Sequence, residues 1–266
     1  MSTYKLANKV VAITGSTGGL GSALAEALHA RGARLALFDL EADRLTAQIR
    51  SFGHPSDVLG WTADVRDFES LEAAMAHAAD HFGQIDVVIA NAGIDTMAPM
   101  ATLDPAAFDR VIDINLNGVW RTFRAGLPFV QQQRGYMLAI SSMAAFVHSP
   151  LQASYTASKA GVWAMCDSIR LELRHLGIGV GSASDIFSDT LDGRCRCRPG
   201  RPGIVGRQRS RLLEDDPARA GRAGHRGRHR APRGHDRRTQ DQHDRGQGTW
   251  LLQALRRTRR LSRRGH

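Results

Sequence analysis

A glycine-rich stretch between a short apolar run and an amphipathic segment constrains this chain more than any other feature. Residues 9–14, KVVAIT, are mostly β-branched and lack polar alternation, which is typical of a strand buried on both faces of a parallel sheet. The sequence GSTGGLGSALAEALHARGA follows directly. Gly15, Gly19 and Gly21 permit a tight turn, and the helix that they open points unpaired N–H groups and its positive dipole end outward. This strand, turn and helix predict a pyrophosphate site above the turn.

The alternation of apolar strand and amphipathic helix continues through residue 190. Apolar runs occur at 34–40, 58–63, 85–90, 136–141 and 177–184, and the longest segments of helical periodicity are 67–82, 104–132 and 153–174. Elements of these lengths predict an α/β fold with a doubly wound parallel, Rossmann-like sheet, three layers and a single domain over residues 1–190. In such sheets ligands bind at the carboxyl ends of the strands, so the residues that follow each strand are the candidates for a site.

An acidic residue ends the second predicted strand. Asp39 stands about twenty residues beyond the glycines, where a carboxylate accepts hydrogen bonds from the adenosine ribose hydroxyls and repels a 2′-phosphate. No Arg or Lys lies between Gly15 and Gly21 to bind such a phosphate. The sequence therefore favours NAD over NADP. The structural alternative is that Asp39 caps the helix that begins near Glu41.

Two later strand ends also carry candidate residues. The third strand is closed by Asp64-Val65, and Asn91-Ala92-Gly93 follows the fourth. In this second turn, small residues let the backbone approach a flat ring, and the Asn91 amide can pin the turn. An ordinary structural turn explains the same residues equally well.

Residues 141–159, SSMAAFVHSPLQASYTASK, hold a hydroxyl, a phenol and an amine. If a helix begins near Ala153, Tyr155 and Lys159 lie one turn apart on one face. A nearby cation lowers a phenol pKa from its free value near 10 toward neutrality, which a general acid or base at pH 7 requires. Ser142, at a strand end, would orient the same substrate oxygen. The alternative is that the tyrosine and lysine serve only packing and surface roles.

Two further features belong to this candidate site. Asn115 lies in the middle of the predicted helix 104–132, where a polar amide is usually a satisfied core residue, but it can instead hold a water near Lys159. Apolar residues between the serines and the tyrosine predict a hydrophobic substrate. They are Met143, Phe146, Val147 and Leu151.

These motifs together resemble the short-chain dehydrogenase/reductase family in order and spacing, over residues 7 to 190. The motifs are TGSTGGLG at 14–21, Asp39, Asp64-Val65, Asn91-Ala92-Gly93, Asn115, Ser142 and SYTASK at 154–159. The resemblance implies that Tyr155 is the acid/base, that Lys159 holds the nicotinamide ribose and lowers the phenol pKa, that Ser142 binds the carbonyl or alcohol, and that Asn115 supports a water relay.

The resemblance also implies an NAD-dependent enzyme that interconverts a secondary alcohol and a ketone on a small substrate. Asp64 and Val65 would meet the adenine, and Thr190 would touch the nicotinamide amide. The implied cofactor-binding set is Gly15, Ser16, Thr17, Gly19, Leu20, Gly21, Asp39, Asp64, Val65, Asn91, Ala92, Gly93, Tyr155, Lys159 and Thr190. Family members usually pair through helices corresponding to 104–132 and 153–174, so a homodimer is expected, with a homotetramer as the alternative.

The chain departs from the family pattern at two places. Ala90-Asn91 stands where the family usually has two asparagines, which is a tolerated change. Asp185 and Ile186 stand where a Pro-Gly turn is expected, and the likeness ends soon after. From Leu191 onward there is no Phe, Tyr or Lys, and Arg, Gly, Ala, Pro and His dominate.

The basic charge of the chain belongs to residues 191–266. This tail holds 22 of the 36 basic and 7 of the 26 acidic residues, so residues 1–190 carry 14 basic and 19 acidic ones. We predict a disordered low-complexity tail, and GC-rich DNA read in a shifted frame would produce its composition. Nucleic-acid binding is the alternative, disfavoured because no aromatic residue interleaves the most basic run. Cys195 and Cys197 lack the second pair that a metal site needs.

Cysteine content and hydropathy place further limits on the chain. Three cysteines, Cys166, Cys195 and Cys197, make no disulfide framework, so we expect a reducing, cytoplasmic compartment. No apolar run reaches membrane-spanning length and the N-terminus does not read as a signal peptide. If the tail removes the substrate lid and the last strand, the alternative function is that of a catalytically impaired cofactor-binding protein.

Overall fold

A computed structural model describes residues 5–53 and 56–184; Thr190 and the predicted tail 191–266 lie outside them. Strands and helices alternate along the described chain. In order they are β1 (Val10–Thr14), α1 (Gly19–His29), β2 (Arg34–Asp39), α2 (Ala42–Ser51), β3 (Val58–Thr62), α3 (Phe68–Phe82), β4 (Val87–Ala90), α4 (Pro105–Ile112), α5 (Gly118–Gln133), β5 (Tyr136–Ile140), α6 (Ala153–Leu173) and β6 (Gly179–Ala183).

The six strands form one parallel sheet in the order β3-β2-β1-β4-β5-β6. The chain first runs outward from β1 to β3 and then crosses back to place β4 on the other side of β1. A parallel sheet whose order reverses in this way opens a crevice at the carboxyl ends of the two central strands. The doubly wound fold predicted from the sequence is therefore confirmed.

Both faces of the sheet are covered, as the apolar strand runs predict. On one face, Val11 and Ile13 of β1 pack with Leu24 of α1. On the other face, Val10 and Ala12 belong to a core that α3, α5 and α6 complete. Neighbouring strand residues point to opposite faces, so each strand contributes to two cores and must be apolar throughout. The result is a three-layer structure.

The predicted continuous helix at 104–132 is wrong in its middle. After α4, the backbone widens into a π-helical turn over Asp113–Asn117 before α5 begins at Gly118. Gly118 lies directly over Val65, because a Cβ built on it would be 2.9 Å from a Val65 methyl carbon. Single π-helical turns inside α-helices are frequent at functional sites. Here the wide turn contains Asn115.

Each of the helices α1 to α6 contains charged side chains. The longest, α6, has 21 residues and carries Lys159, Asp167, Arg170 and Glu172 along its length. No described helix combines the length and the apolar character that crossing a membrane demands.

Candidate active site

At two positions of the glycine turn after β1, Gly15 and Gly21, the surrounding backbone leaves no room for a side chain. Gly15 has φ +64°, and a Cβ built on it would be 2.7 Å from the Ala92 Cα. A Cβ on Gly21 would overlap the Gly15 carbonyl oxygen. The turn therefore packs backbone to backbone against both α1 and the segment after β4, as the sequence predicts.

The N-terminus of α1 is suited to an anion. Its cap is Gly18, which provides no side-chain hydrogen bond, and its first turn contains no acidic residue. The first N–H groups of a helix need partners from outside the helix, and the dipole favours a negative one. Gly19 and Leu20 lie in this first turn beside Gly21, so the residues present fit a pyrophosphate.

Asp39 is fixed against the glycine turn. Its Oδ2 accepts hydrogen bonds from the Thr17 backbone N at 2.9 Å and from the Thr17 hydroxyl at 2.8 Å. Its Oδ1 accepts one from the Leu40 N at 2.8 Å. The N-cap of α2 is Glu41 and not Asp39, so the capping alternative is not what the structure contains. The carboxylate is thus held at the turn where the ribose of a dinucleotide would lie.

The α2 helix supplies two contacts to the turn that the sequence analysis missed. Gln48 Nε2 donates to the Ser16 carbonyl oxygen at 2.7 Å, and the Ser16 hydroxyl donates to Gln48 Oε1 at 3.0 Å. Arg44 donates to the Thr17 carbonyl oxygen at 3.0 Å. Ser16 is fully buried, so its hydroxyl anchors the turn to α2. The four-residue spacing of Arg44 and Gln48 was the available signal, since it puts both on one helix face.

Asn91 ties the end of β4 to the end of β1. Its Nδ2 donates to the carbonyl oxygens of Thr14 at 3.1 Å and Gly15 at 2.9 Å. The Thr14 hydroxyl in turn accepts from the Asn91 N at 3.2 Å. The amide therefore pins the turn, as predicted, and Thr14 is a partner that the sequence analysis missed. Ala92 and Gly93 continue from this fixed point toward Lys159.

Asp64 and Val65 lie at the end of β3, but the Asp64 carboxylate already has a partner. The Arg66 side chain donates to Asp64 Oδ2 at 2.6 Å and to Oδ1 at 3.0 Å, and its backbone N donates to Oδ1 at 2.9 Å. These hydrogen bonds hold the pKa of Asp64 below its usual value. Val65 is buried beneath Gly118. The adenine contact assigned to this pair stays a prediction.

Tyr155 and Lys159 lie on the same side of α6, as the helical spacing predicts. The Lys159 Nζ is 5.6 Å from the centre of the Tyr155 ring and donates to the Ile140 carbonyl oxygen at 2.8 Å. Lys159 is only 4% exposed, and burial lowers its pKa from 10.5 to about 8. At pH 7 the amine is therefore still mostly protonated. A buried ammonium thus lies beside a half-buried phenol on one side of α6.

Asn115 is fully buried and its amide is bonded on both sides. Its Oδ1 accepts from the Ile94 N at 2.8 Å, and its Nδ2 donates to the Ile94 carbonyl oxygen at 2.8 Å and to the Ser158 hydroxyl at 3.2 Å. The side chain therefore links the segment after β4 to α6, as a satisfied core amide. A Cβ on Gly93 would lie 3.3 Å from Asn115 Oδ1 and 3.6 Å from Lys159 Nζ, so these groups adjoin one another. The water relay assigned to Asn115 stays a prediction.

Ser142 lies two residues beyond the end of β5, at the carboxyl edge of the sheet. Its hydroxyl oxygen accepts from the Ala144 N at 3.1 Å, which leaves the hydroxyl proton able to donate. Of the predicted apolar lining, Met143 is half-buried, while Phe146 is 48% and Leu151 46% exposed. Val147 is also exposed. Thr190, predicted to contact the nicotinamide, falls outside the described residues.

The structure thus brings the predicted strand-end residues to one crevice at the carboxyl edge of the sheet. On one side of the crevice stand the glycine turn, α1 and Asp39. On the other stand Ser142, Tyr155 and Lys159, with the segment after β4 between the two sides.

Comparison with known proteins agrees with this arrangement. The family model described as short chain dehydrogenase matches residues 9–188. The chain is similar to the acetoacetyl-CoA reductase of Synechocystis sp., with 34% identity over 194 residues, 71% of this chain and 76% of that protein. It is similar to the cis-4-hydroxycyclohexanecarboxylate dehydrogenase of Sinomonas cyclohexanicum, with 36% identity over 188 residues, 69% of this chain and 75% of that protein.

A solved structure supports the same assignment. The 3-ketoacyl-(acyl-carrier-protein) reductase from Brucella melitensis, complexed with NADH, superposes with a TM-score of 0.64 at 26% sequence identity, over 67% of this chain and 76% of that one. With the family model matched over most of the described residues and the strand order in place, the chain belongs to the short-chain dehydrogenase family of nicotinamide-dependent oxidoreductases.

Proposed function

We propose that this chain is an NAD(H)-dependent oxidoreductase that interconverts a secondary alcohol and a ketone on a small hydrophobic substrate. One observation carries the proposal: the buried Lys159 ammonium lies 5.6 Å from the centre of the Tyr155 ring. Ser142 lies at the end of β5, whose last carbonyl oxygen accepts from the same ammonium. A phenol, a hydroxyl and a fixed cation beside a dinucleotide crevice are the groups that carbonyl reduction requires.

Each residue has a role that follows from its chemistry. Tyr155 transfers a proton to or from the substrate oxygen, and Lys159 places a buried ammonium beside the Tyr155 ring. Ser142 donates a hydrogen bond to the same oxygen and so orients the carbonyl or alcohol. Asn115 holds the segment at Ile94 next to the reacting groups and supports the proposed water relay. The bound nicotinamide would supply or accept the hydride.

The preference for NAD over NADP rests on Asp39. Its carboxylate is fixed by Thr17 and lies at the turn that would receive the adenosine ribose. A carboxylate there accepts hydrogen bonds from ribose hydroxyls and repels a 2′-phosphate. The free N–H groups at the start of α1 would hold the pyrophosphate.

The substrate side of the crevice supports an apolar substrate. The segment between Ser142 and Tyr155 contains Met143, Phe146, Val147 and Leu151, and three of these apolar residues are exposed. Exposed apolar side chains next to a reactive group favour ligands that cover them. The similarity to dehydrogenases of small alcohols supports the same reaction class.

Replacement of Tyr155 by Phe tests the assignment. We expect turnover of a secondary alcohol with NAD to fall by at least about a hundredfold, the usual contribution of a positioned general acid or base. NADH binding, followed by fluorescence titration, should be nearly unchanged. Tyr136→Phe is the matched control, because Tyr136 begins β5 at the opposite edge of the sheet. Full turnover by the Tyr155 variant would contradict the proposal, and NADH binding by an inactive wild type would favour the impaired cofactor-binding alternative.

A homodimer through α5 and α6 belongs to the same proposal. Between these helices a shallow crevice of about 170 Å³ is lined by Trp120, Leu127 and Ile169 among others, and Trp120 is 50% exposed. An exposed tryptophan beside an apolar crevice favours burial against a second protein surface. The homotetramer stays the alternative. Cytoplasmic localisation stays a prediction from the cysteine content.

A further inference from the structure

Two segments that flank the proposed substrate site are tied together by two hydrogen bonds. The first segment, 94–100, follows the turn at Gly93, and the second, 143–152, leads into α6. The Ala98 N donates to the Leu151 carbonyl oxygen at 3.0 Å, and Gln152 Nε2 donates to Asp95 Oδ2 at 2.8 Å. Leu151 adopts φ +70°, an uncommon conformation for a leucine, so its backbone is held by these surroundings.

The Asp95–Gln152 pair joins the segment after β4 to the start of α6, the helix that carries Tyr155. Gln152 is the N-cap of α6, and its carbonyl oxygen accepts from the Thr156 N at 2.8 Å, so it stands one helical turn before Tyr155. Residues three apart in a helical turn lie on the same face, about 5–6 Å apart at Cβ. On the other side, Asp95 follows Ile94, whose backbone is bonded to Asn115. The pair therefore lies between the segment that Asn115 holds and the first turn of α6, and so it borders the proposed substrate site.

The polar atoms of this pair present acceptors to the site. A carboxylate only accepts hydrogen bonds, so the Gln152 amide nitrogen must face Asp95, and its oxygen faces away. Asp95 is additionally fixed because its Oδ1 accepts from the Thr96 N at 2.7 Å. A substrate that approaches Tyr155 along this border thus meets a fixed negative charge and an amide oxygen.

The described walls of the site offer no cation to balance an anionic substrate. Residues 91–103 and 141–158 contain no Lys or Arg, and Asp95 is their only acidic residue. Lys159 is the adjacent cation, but it is 4% exposed and its ammonium donates to the Ile140 carbonyl oxygen. The two tied segments also carry exposed apolar side chains, those of Met97, Phe146 and Leu151. This border therefore repels carboxylates and phosphates while favouring apolar surface.

We propose that the Asp95–Gln152 pair makes this site selective against anionic substrates, so that the alcohol or ketone it takes is uncharged and apolar. The inference rests on the proposed function, since it concerns the substrate class of the same site. It assigns Asp95 as a specificity-determining residue.

A matched pair of substrates tests the inference on the full chain with NAD. 4-Hydroxycyclohexanecarboxylate and its methyl ester have the same ring and the same secondary alcohol, and they differ in charge. We expect the wild type to show a kcat/KM for the ester well above that for the acid. In Asp95→Asn the ratio of the two kcat/KM values should fall by about fivefold, the order of effect expected when one like charge is removed from a partly exposed site.

Charge reversal and a remote control sharpen the test. Asp95→Lys should raise the kcat/KM for the acid, relative to that for the ester, beyond the value seen in Asp95→Asn. The preference of the wild type for the ester should weaken as salt is added. Asp80→Asn makes the same change in net charge on α3, at an exposed residue far from the site, and should leave the ratio unchanged. A wild type that prefers the acid, or a ratio that Asp95→Asn does not move, would overturn the inference.

Failure of the proposed function can be told apart from failure of this inference. If the wild type turns over neither compound, the proposed function fails for this pair of secondary alcohols, and the selectivity is then measured by calorimetric binding of the acid and of the ester. Preferential ester binding that Asp95→Asn abolishes supports the inference, and equal binding of both compounds overturns it.

Discussion

Replacing Lys159 by Met should show how much the burial of the Lys159 ammonium lowers the free energy of unfolding. Burial lowers the pKa of Lys159 from 10.5 to about 8, whereas the unfolded chain keeps the ordinary value. Between these two values the unfolded state binds more protons than the folded state, so the free energy of unfolding rises with pH. At about 1.4 kcal/mol per tenfold change in proton affinity, the rise amounts to about 3 kcal/mol. Below pH 8 the amine is protonated in both states, so burial of its charge lowers the free energy of unfolding by this full amount.

The assay is urea unfolding of wild type and variant at intervals from pH 7 to pH 10.5. Methionine has similar length and no charge, so the pH-dependent part of the wild-type stability should vanish in the variant. The wild type should therefore gain about 3 kcal/mol relative to Lys159→Met across this range. Lys5→Met, at an exposed position, is the control and should show no such change. A constant difference between wild type and Lys159→Met at every pH would refute the buried ammonium.

Three further changes test other parts of the site. Asp39→Ser should raise the ratio of NADP to NAD turnover at least about tenfold, because the repelling carboxylate is lost while Arg44 stays at the turn; steady-state kinetics with both cofactors measures it. Asn115→Ala should lower the free energy of unfolding by about 2–4 kcal/mol, measured in urea, since it leaves both backbone groups of Ile94 without their side-chain partner. Trp120→Glu should shift the proposed dimer to monomer in light scattering, whereas Met100→Glu, at a highly exposed residue, should not.

The parts of the fold that follow from local sequence were predictable. Val11 and Val10 point to different faces and both are buried, and only a strand covered on two sides requires such an uninterrupted apolar run. Gly15 and Gly21 were recognisable because any side chain there would collide with neighbouring backbone. The four-residue spacing of Tyr155 and Lys159 predicts that both lie on one face of a helix.

What escaped the sequence analysis depends on contacts between distant residues. The π-helical turn at Asp113–Asn117 interrupts a segment whose periodicity reads as one helix, and the bonds that accompany it run from Asn115 to Ile94, 21 residues away. Arg44 and Gln48 reach the glycine turn across 27 and 32 residues. No window of local sequence contains both partners of such bonds, so periodicity does not predict the wide turn. The spacing of Arg44 and Gln48 predicts that they share a helix face, but it does not show which backbone groups they reach.

Lys159 shows why a residue in this site is structural and chemical at once. Its ammonium donates to the Ile140 carbonyl oxygen, and its own carbonyl oxygen accepts from the Ser141 hydroxyl at 3.0 Å. The side-chain ammonium and the backbone carbonyl of Lys159 therefore both link α6 to the end of β5, at Ile140 and at the residue after it. Ser142 follows immediately, so the same two bonds set the position of its hydroxyl relative to Tyr155. The burial that makes the charge costly also holds these groups in place, because a solvent-exposed ammonium would exchange its bond to the Ile140 carbonyl oxygen for bonds to water.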